Sequence, residues 1–319
     1  MKLIIQIPCF NEEQSLPITL AELPKEIAGI DEIEVLIIDD GSTDKTVEVA
    51  KSLGVNHIVK FENNKGLAKA FVAGITRALE EGADIIVNTD ADNQYQAKDI
   101  EKLVRPIIEK QADIVIGSRP VASIKHFSFL KKCLQKLGSW VMRLLSSTDV
   151  KDAPSGFRAF SRTAAMQLNI FDNYSYTLET IIQAKAKGLT IKNVDICVNP
   201  ELRKSRLFKN MFSYILKSAY TMIRMFIIYR PFRFFAVLGL ISLLIGFGIS
   251  CRFLYFYFTG FGRGHIQSLI FAAVFLLSGV QIGLIAVLAE LIAINRKLLE
   301  DVQNRLKMYG LQKKSDDLK

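Results

Sequence analysis

The sequence has little of the chemistry that marks disulfide-stabilised proteins, zinc sites and serine hydrolases. Its 319 residues include only four cysteines, three histidines and one tryptophan. The cysteines lack the close spacing of metal sites, which predicts free thiols in a reducing compartment. They are Cys9, Cys133, Cys197 and Cys251. A Walker A sequence, a Gly-x-Gly-x-x-Gly after a strand-like run and a Ser/His/Asp arrangement are also absent, which argues against P-loop, dinucleotide-binding and triad enzymes.

A cleavable secretory signal is absent as well. Pro8 and Asn11-Glu12-Glu13 end the N-terminal apolar stretch too early for a signal peptide. The apolar excess, with 50% hydrophobic residues and a mean hydropathy of +0.23, is concentrated near the C-terminus. Two stretches there, about 234–258 and 267–293, reach the ~20 residues that cross a bilayer. They predict a transmembrane hairpin, and a buried hairpin of a soluble protein is the alternative.

Cations flank this predicted hairpin on its outer sides. They are Arg224, Arg230, Arg233, Arg296, Lys297, Arg305 and Lys307. The turn between the two stretches carries only Arg263, with Arg252 just before it. Because positive residues are retained on the cytoplasmic side, both termini and the domain before the hairpin are expected in the cytoplasm.

Two further segments, Val121–Lys151 and Pro200–Arg233, are strongly basic within a chain of net charge +9. Both alternate cations with aromatic and aliphatic residues at roughly helical spacing, which predicts amphipathic helices on an anionic membrane surface. A basic stripe is also typical of nucleic-acid binding. Adjacency to the apolar stretches favours the membrane, so no nucleic-acid partner is expected.

Before these segments, strand-like and helix-like runs alternate, which predicts an α/β fold with a mostly parallel sheet. The predicted strands are 2–7, 34–38, 57–61, 85–87, 114–116 and 191–197. The predicted helices are 13–27, 45–53, 67–80 and 98–109, the second capped by Ser42 or Thr43 with Asp44 at its dipole. The expected organisation is an α/β domain over 1–200, a basic amphipathic segment over 201–233, the hairpin over 234–293 and a charged tail over 294–319.

Polar clusters follow five of the predicted strands. They are Asn11-Glu12, Asp39-Asp40, Asn63-Asn64-Lys65-Gly66, Asp90 to Gln94, and Gly117-Ser118-Arg119. The carboxyl ends of parallel strands share one rim of an open sheet, where ligands bind. The five clusters therefore predict one binding crevice.

The cluster Asp90-Ala91-Asp92, followed by Asn93-Gln94, indicates a cation site. Two carboxylates separated by one residue can converge on a hard divalent cation, and Gln94 adds a neutral oxygen. A solvated acidic turn is the alternative. Lys65 and Arg119 are suited to phosphate oxygens, so the crevice as a whole fits a nucleoside diphosphate with Mg²⁺ or Mn²⁺.

Six motifs resemble those of the family-two inverting glycosyltransferases of the GT-A fold, specifically dolichyl-phosphate mannose synthases and bacterial polyisoprenyl-phosphate (bactoprenol) glycosyltransferases. The motifs are Ile7-Pro8-Cys9-Phe10-Asn11-Glu12-Glu13, Ile38-Asp39-Asp40-Gly41-Ser42-Thr43-Asp44, Asn64-Lys65-Gly66-Leu67-Ala68-Lys69-Ala70, Thr89–Gln94, Gly117-Ser118-Arg119 and Ser155-Gly156-Phe157-Arg158-Ala159. Together they are specific, although each alone would be weak. The paired apolar stretches resemble the bacterial membrane-anchored subgroup.

The resemblance implies a role for particular residues. The nucleotide-sugar site would comprise Pro8, Phe10, Asn11, Glu12, Asp39, Asp40, Lys65, Gly66 and Asp90. The metal ligands would be Asp92, Gln94 and Asp90, the acceptor-phosphate site Arg119, Lys151 and Ser155, and the catalytic residues Asp90, Asp92 and Arg119. The chain departs from the family at Lys151, where Arg is frequent, and in the stretch Arg203–Arg206, which lacks the family's Gly.

The implied activity is transfer of a sugar, with inversion, from a nucleoside-diphosphate sugar (UDP-glucose or similar) to a polyisoprenyl phosphate (undecaprenyl phosphate-like). The product would be a lipid-linked monosaccharide for cell-envelope glycosylation, made by a multi-pass protein of the bacterial inner membrane that is expected to be a homo-oligomer. One alternative is a polysaccharide synthase-like enzyme with a hydroxyl acceptor and Glu179 as its base, but the family's Gln-x-x-Arg-Trp motif is absent around Trp140. The other is a non-catalytic nucleotide-sugar-binding membrane scaffold.

Small residues predict close packing in the hairpin. Gly279 and Gly283 form a small-xxx-small face on the second stretch, and Gly239, Gly246 and Gly248 lie on the first. The helix that packs there is expected to be the first stretch or another subunit.

Overall fold

A computed structural model describes residues 1–120, 149–170, 176–200, 226–259 and 266–317, with residues 216, 219–220 and 223–224. The basic segment 121–151, apart from its last three residues, most of 201–233 and the turn that carries Arg263 lie outside the described residues. The chain forms two compact units, Met1–Met222 with Asn304–Lys319, and Ile223–Gln303.

The first unit is built on a single sheet of seven strands. They are β1 (Lys2–Cys9), β2 (Glu32–Asp39), β3 (His57–Lys60), β4 (Ile85–Asn88), β5 (Ile114–Ser118), β6 (Arg158–Ser161) and β7 (Ile191–Asp195). The accompanying helices are α1 (Leu16–Ala21), α2 (Thr46–Ser52), α3 (Leu67–Glu80), α4 (Ile100–Ile108), α5 (Arg162–Gln167) and α6 (Tyr176–Ala186).

The strand order is β3-β2-β1-β4-β6-β5-β7. All pairings are parallel except those of β6, which runs antiparallel to both β4 and β5. The predicted mostly parallel α/β sheet is thus confirmed. The sequence did not predict β6, because its four residues include Arg158 and lack the alternation of a half-buried strand.

The sheet is buried on both faces, as parallel sheets are. Along β1, Leu3, Ile5 and Ile7 join one apolar core that also contains Leu103 and Ile107 of α4. The opposite face is covered by α3, whose Gly74 lies against the side chains of Gln6 and Ile38. A side chain at this position would collide with the sheet, so α3 can approach only because residue 74 is glycine.

Prolines explain two boundary differences. The predicted helix 13–27 is only Leu16–Ala21, with Pro17 in its first turn and Pro24 just beyond its end. Pro8 lies inside β1 rather than at its end, paired with Ile38 of β2. The pairing of β1 with β4 stops at Gln6, so the missing Pro8 N–H removes no bond from that ladder.

Two smaller predictions concerned the N-terminal cap of α2 and the state of the cysteines. The predicted cap of α2 is wrong, because Lys45 occupies the N-cap position without a side-chain cap, while the Asp44 carboxylate accepts the Thr46 backbone N–H at 3.0 Å. The free-thiol prediction is confirmed for the described cysteines, Cys9, Cys197 and Cys251.

The second unit consists mainly of two long apolar helices, α7 (Pro231–Phe258) and α8, whose full extent is Ile266–Asp317. Pro231–Phe258 and the Ile266–Leu306 part of α8 are long and apolar enough to cross a membrane, and both leave most of their surface exposed. The tail predicted as a separate segment after residue 293 continues α8, and Asn304 accepts a hydrogen bond from Asn169 in the first unit's own packing.

The predicted close approach of the small residues is found between α7 and α8. A Cβ on Gly239 would lie 3.1 Å from the Gly279 carbonyl oxygen, and one on Gly279 would lie 2.6 Å from Leu243 Cγ. The Ser242 hydroxyl donates to the Phe275 carbonyl at 2.8 Å. Gly283 and Gly248, in contrast, have open space at the Cβ position.

Candidate active site

The polar clusters that follow β1 and β2 are joined into one structure at the rim of the sheet. Asn11, in the left-handed region at φ 57°, donates its N–H to the Ser42 hydroxyl at 2.9 Å, and its side-chain oxygen accepts from the Thr43 N–H at 2.8 Å. The Glu12 N–H donates to Thr46 Oγ1 at 2.8 Å. Asn11 and Glu12 therefore shape the rim, while the neighbouring Phe10 ring is 40% exposed.

Asp39 and Asp40 differ in what they hold. Asp40 is buried, and its two oxygens accept the backbone N–H groups of Lys65 and Gly66 at 2.7 and 2.9 Å. Asp39 is fully buried, and one of its oxygens accepts from the Ser42 N–H at 3.1 Å. Its other oxygen, Oδ2, has no hydrogen-bond partner among the described residues. A buried carboxylate oxygen without a donor is costly, so Asp39 is prepared to accept a donor from a ligand.

The loop after β3 is held by hydrogen bonds to Asp40 and packs against Gly41. A Cβ on Gly41 would lie 2.6 Å from the backbone of Asn63, so only glycine lets the two loops meet. Lys65 is exposed, and its ammonium lies 4.7 Å from the centre of the Phe61 ring. This arrangement leaves an exposed cation at the rim of the crevice.

Asp90 and Asp92 lie at the end of β4, both half-buried. Burial, together with the nearby Asp92 charge, raises the pKa of Asp90 to about 7, while Arg119 opposes the shift. The Asp92 carboxylate accepts the Gln94 N–H at 3.1 Å, which orients the turn. A cation would stabilise the charged form of Asp90, which burial and the neighbouring carboxylate disfavour.

Arg119, at the end of β5, forms a two-pronged ion pair with Asp152. Its Nε and Nη2 lie 2.7 and 3.0 Å from the two Asp152 oxygens, and its backbone N–H also donates to this carboxylate at 3.2 Å. Burial alone would lower the pKa of Arg119, but Tyr95 and Asp152 outweigh it, so the pKa is raised and the guanidinium stays charged. Nη1 is the nitrogen that this pair does not use.

The loop 152–156 passes directly beside Asp90. A Cβ on Gly156 would lie 3.3 Å from Asp90 Oδ1 and 3.0 Å from the Tyr176 hydroxyl. Ser155 is fully buried, and its hydroxyl has no partner among the described residues. Lys151 is exposed and lies 3.6 Å from Asp195. Of the three predicted acceptor residues, Ser155 lies in this loop and Arg119 is paired with the loop's Asp152, whereas Lys151 is an exposed residue just before it.

Sequence reasoning missed the residues that fix this loop. Arg158 is fully buried and donates to the carbonyls of Ala153, Ser155 and Thr177 and to the Thr180 hydroxyl, at 2.5 to 2.8 Å. Burial lowers the pKa of Arg158 to about 10. Asp152 stands beside predicted Lys151, but nothing in the sequence marked it as the partner of Arg119.

Glu179 is the residue that was considered as a base for a hydroxyl acceptor. It is fully buried in α6, and one of its oxygens accepts from Gln183 Nε2 at 3.2 Å. A buried, hydrogen-bonded carboxylate of this kind is typical of a residue that stabilises the fold.

The donor set fits a divalent cation. Within the part of the chain that the structure describes, no group of three or more His, Cys, Asp or Glu side chains is arranged to hold a metal. Mg²⁺, however, is usually held by one or two carboxylates while phosphates and waters complete its shell. Asp90, Asp92 and Gln94 offer that incomplete oxygen set, and burial together with the neighbouring Asp92 raises the pKa of the Asp90 carboxyl.

A sequence profile of glycosyl transferase family 2 matches residues 4–168, a range that contains most of β1, all of β2 to β6 and most of these rim residues. The chain belongs to glycosyl transferase family 2. Two relatives illustrate the similarity of this family 2 glycosyltransferase. It is 34% identical over 212 residues to the UDP-N-acetylglucosamine–dolichyl-phosphate N-acetylglucosaminyltransferase of Methanococcus voltae, which covers 60% of this chain and 82% of that protein. It is 29% identical over 218 residues to the undecaprenyl-phosphate mannosyltransferase of Micrococcus luteus, covering 65% and 88%.

Solved structures confirm the GT-A fold of this family 2 glycosyltransferase. Glucosyl-3-phosphoglycerate synthase from Mycobacterium tuberculosis, solved with Mn²⁺, UDP and glucosyl-3-phosphoglycerate, matches with a TM-score of 0.56. The identity is 18%, over 71% of this chain and 78% of that one. The fold that the sequence resemblance implied is therefore the fold of the structure.

Proposed function

We propose that this protein is a membrane-anchored, metal-dependent inverting glycosyltransferase that moves a hexose from a nucleoside-diphosphate sugar to a polyisoprenyl phosphate. The observation that carries the proposal is that Asp90 and Arg119 both lie beside one loop, 152–156, with Asp92 close to Asp90. Carboxylates for a cation and an arginine for a phosphate are brought together there by the ends of two strands, β4 and β5. This combination suits a reaction in which the sugar lies between the diphosphate of the donor and the phosphate of the acceptor.

The donor half rests on the rim formed by β1, β2 and β3. The unpaired Asp39 oxygen is suited to an N–H of a nucleobase, and the exposed Phe10 ring offers an apolar surface beside it. Asp40 acts by holding the Lys65–Gly66 loop rather than by contact, and the Lys65 ammonium can reach a phosphate oxygen. Pro8, Asn11 and Glu12 complete the wall, as the family resemblance implies.

Asp92, Gln94 and Asp90 would hold Mg²⁺ or Mn²⁺ in this proposal. Bound there, the cation would neutralise charge that develops on the leaving diphosphate. The similarly folded glucosyl-3-phosphoglycerate synthase, solved with Mn²⁺ and UDP, is consistent with that chemistry. Asp90 accordingly has two tasks, as a cation ligand and as a wall of the donor site, and Gly156 leaves room for it.

An isoprenyl phosphate needs to be held rather than deprotonated. It is already ionised at neutral pH, so no general base is required, in contrast to a hydroxyl acceptor. Arg119 keeps its charge and offers Nη1, and the Ser155 hydroxyl has no partner in the described parts of the chain, so both are suited to a phosphate oxygen. Lys151 would help to attract the phosphate from the outer side. Attack on the anomeric carbon opposite the leaving group gives inversion.

The relatives support the acceptor more than the donor. Both relatives are named for a polyprenyl-type phosphate acceptor, whereas one is named for the transfer of N-acetylglucosamine and the other for the transfer of mannose. We propose UDP-glucose or a similar donor and an undecaprenyl phosphate-like acceptor. The helices α7 and α8 would span the inner membrane, with the catalytic domain and both termini cytoplasmic and the product used for cell-envelope glycosylation.

The test is product formation by the full chain in detergent. Undecaprenyl phosphate is incubated with each of a panel of UDP- and GDP-sugars and Mg²⁺ or Mn²⁺, and lipids are analysed by mass spectrometry. One donor should give a lipid one hexose heavier, and NMR of that lipid should show the inverted anomer. The Asp92→Asn variant, purified in the same way, should lose most of this product.

Two outcomes would overturn the proposal. A donor that binds but is never transferred would indicate a nucleotide-sugar-binding scaffold. A product that grows by several sugars on a hydroxyl acceptor would indicate a polysaccharide synthase-like enzyme.

A further inference from the structure

The turn that carries Asp92 and Gln94 is fastened by a polar cluster that touches neither of their side chains. Asn93, which lies between them, is buried and donates from Nδ2 to Glu22 Oε1 at 3.2 Å. Asn199 donates from its own Nδ2 to Glu22 Oε2 at 3.4 Å and to the Asn93 carbonyl at 3.1 Å. Glu22 thus receives one amide on each of its carboxylate oxygens.

The backbone of this turn is unusual at the point of attachment. Asn93 has φ 55°, in the left-handed region that residues with a side chain rarely adopt. Asparagine is among the few that tolerate it. This reversal of the chain determines the directions in which Asp92 and Gln94 leave the turn. A side-chain bond from Asn93 to Glu22 therefore fixes the turn on which the proposed cation ligands stand.

Asn199 holds the same turn through the backbone. Its N–H donates to the Gln94 carbonyl at 2.9 Å, and Val198 forms a bridge with Tyr95 in antiparallel orientation. Tyr95 in turn stacks on Phe157 with ring centres 4.9 Å apart and accepts the Gly156 N–H at 3.2 Å. The turn is thus enclosed between the end of α1, the 152–156 loop and the segment after β7.

This last segment has a special place in the sequence. Asn199 is followed by Pro200 and then by the basic segment that leads to α7. The chain therefore leaves β7 towards the apolar helices directly after Asn199. This residue forms two hydrogen bonds with the turn that carries Asp92 and Gln94, which we call the cation turn.

We propose that Glu22 and Asn199 are positioning residues for the cation turn, linking its metal-binding shape to the segment through which the chain leaves the catalytic domain. The inference rests on the proposed metal site at Asp92 and Gln94. Neither residue touches the cation or the substrate in this role. Outer residues that orient metal ligands typically change metal affinity about 10- to 100-fold when they are removed.

The test measures cation binding without turnover. Full-length protein in detergent is titrated with Mn²⁺ in the presence of UDP, and free Mn²⁺ is read by electron paramagnetic resonance. Glu22→Ala and Asn199→Ala should each weaken Mn²⁺ binding about tenfold. Glu22→Gln, which keeps one acceptor oxygen, should fall between Glu22→Ala and the unchanged protein. Asn93→Gly keeps the backbone shape but loses the bond to Glu22, so it should match Glu22→Ala.

The matched control is Asn56→Ala. Asn56, like Asn199, bonds a backbone group with its side chain: it accepts the N–H of Val35 at 2.9 Å, within β2 and away from the rim. It should leave Mn²⁺ affinity unchanged. Equal losses in Asn56→Ala and Asn199→Ala, or unchanged affinity in both Glu22→Ala and Asn199→Ala, would overturn the inference.

Failure of the proposed function would look different. Because the readout uses UDP and Mn²⁺ alone, a protein that binds both but does not modify undecaprenyl phosphate refutes the acceptor and leaves this inference standing. An unchanged protein that binds no Mn²⁺ with UDP or GDP refutes the metal site and the inference together. If Asn199→Ala does not fold, Glu22→Gln and Asn93→Gly decide the matter by the same criterion.

Discussion

The guanidinium of Arg119 and the carboxylate of Asp152 face each other through two parallel hydrogen bonds, 2.7 and 3.0 Å long, with less than a tenth of either side chain exposed. The pair joins the end of β5 to the loop 152–156. It fixes the plane of the arginine and leaves Nη1 for another group. Arg119 is therefore a cation held in place by Asp152, rather than a flexible surface charge.

Arg119→Ala should abolish transfer to lipid phosphate while leaving nucleotide-sugar affinity within about a few-fold, because charged hydrogen bonds of ~1.5–3 kcal/mol are lost at the acceptor only. Donor binding by calorimetry and lipid product are measured on the same preparation. Asp152→Asn, which keeps the shape but not the charge, should lower transfer less. A donor affinity that falls as far as transfer does would place Arg119 on the diphosphate instead.

Asp92→Asn should remove most activity and the dependence on a divalent cation. The exchange deletes one charged ligand and keeps the side-chain volume, so transition-state stabilisation should fall by several kcal/mol, about 100-fold or more in rate. Turnover is measured across a Mg²⁺ and Mn²⁺ series and in excess chelator. Full turnover with chelator, or an unimpaired and folded Asp92→Asn protein, would refute the cation site.

Gly279→Leu should disturb the packing of α7 on α8, whereas Gly283→Leu should not. A Cβ at residue 279 would lie 3.0 Å from the backbone nitrogen of Leu243, but at residue 283 it would meet open space. Overpacking of this kind costs about 1–3 kcal/mol. Thermal unfolding and oligomer size are compared in one detergent. Equal effects of the two substitutions would mean that a second subunit packs at Gly283.

Arg158→Met should destabilise the catalytic domain strongly. It removes the donors from three buried carbonyls and one hydroxyl, and each buried group left unpaired costs about 1–3 kcal/mol. Arg158→Lys should be intermediate, since an ammonium cannot reach all four acceptors. Arg105→Met, on the exposed side of α4, is the control. Melting temperatures that agree between Arg158→Met and Arg105→Met would show that the network contributes little.

The local sequence determined the nature of this protein to a large extent. Apolar runs of β-branched residues predicted six of the seven strands, because a strand that is buried on both faces has an apolar sequence that is visible without knowing which strands it pairs with. The turn residues that follow them predicted the rim of the crevice, since parallel strands bring their carboxyl ends together. Asp90, Asp92 and Gln94 were predicted from spacing alone, and the apolar stretches were long enough to identify α7 and α8.

Only the tertiary structure decided what each rim residue does. Asp39 and Asp40 are adjacent and chemically identical, yet one keeps an unpaired oxygen and the other holds the Lys65 loop. The pair Arg119–Asp152 joins residues that are 33 positions apart in the sequence. The strand β6 pairs antiparallel with β4, which lies about 70 positions earlier. No local sequence pattern encodes either contact. Local propensity and periodicity act over one or two turns of chain, so they predict elements and rims. Partners such as Asp152 and Arg158 are chosen by burial and by the hydrogen bonds that burial demands.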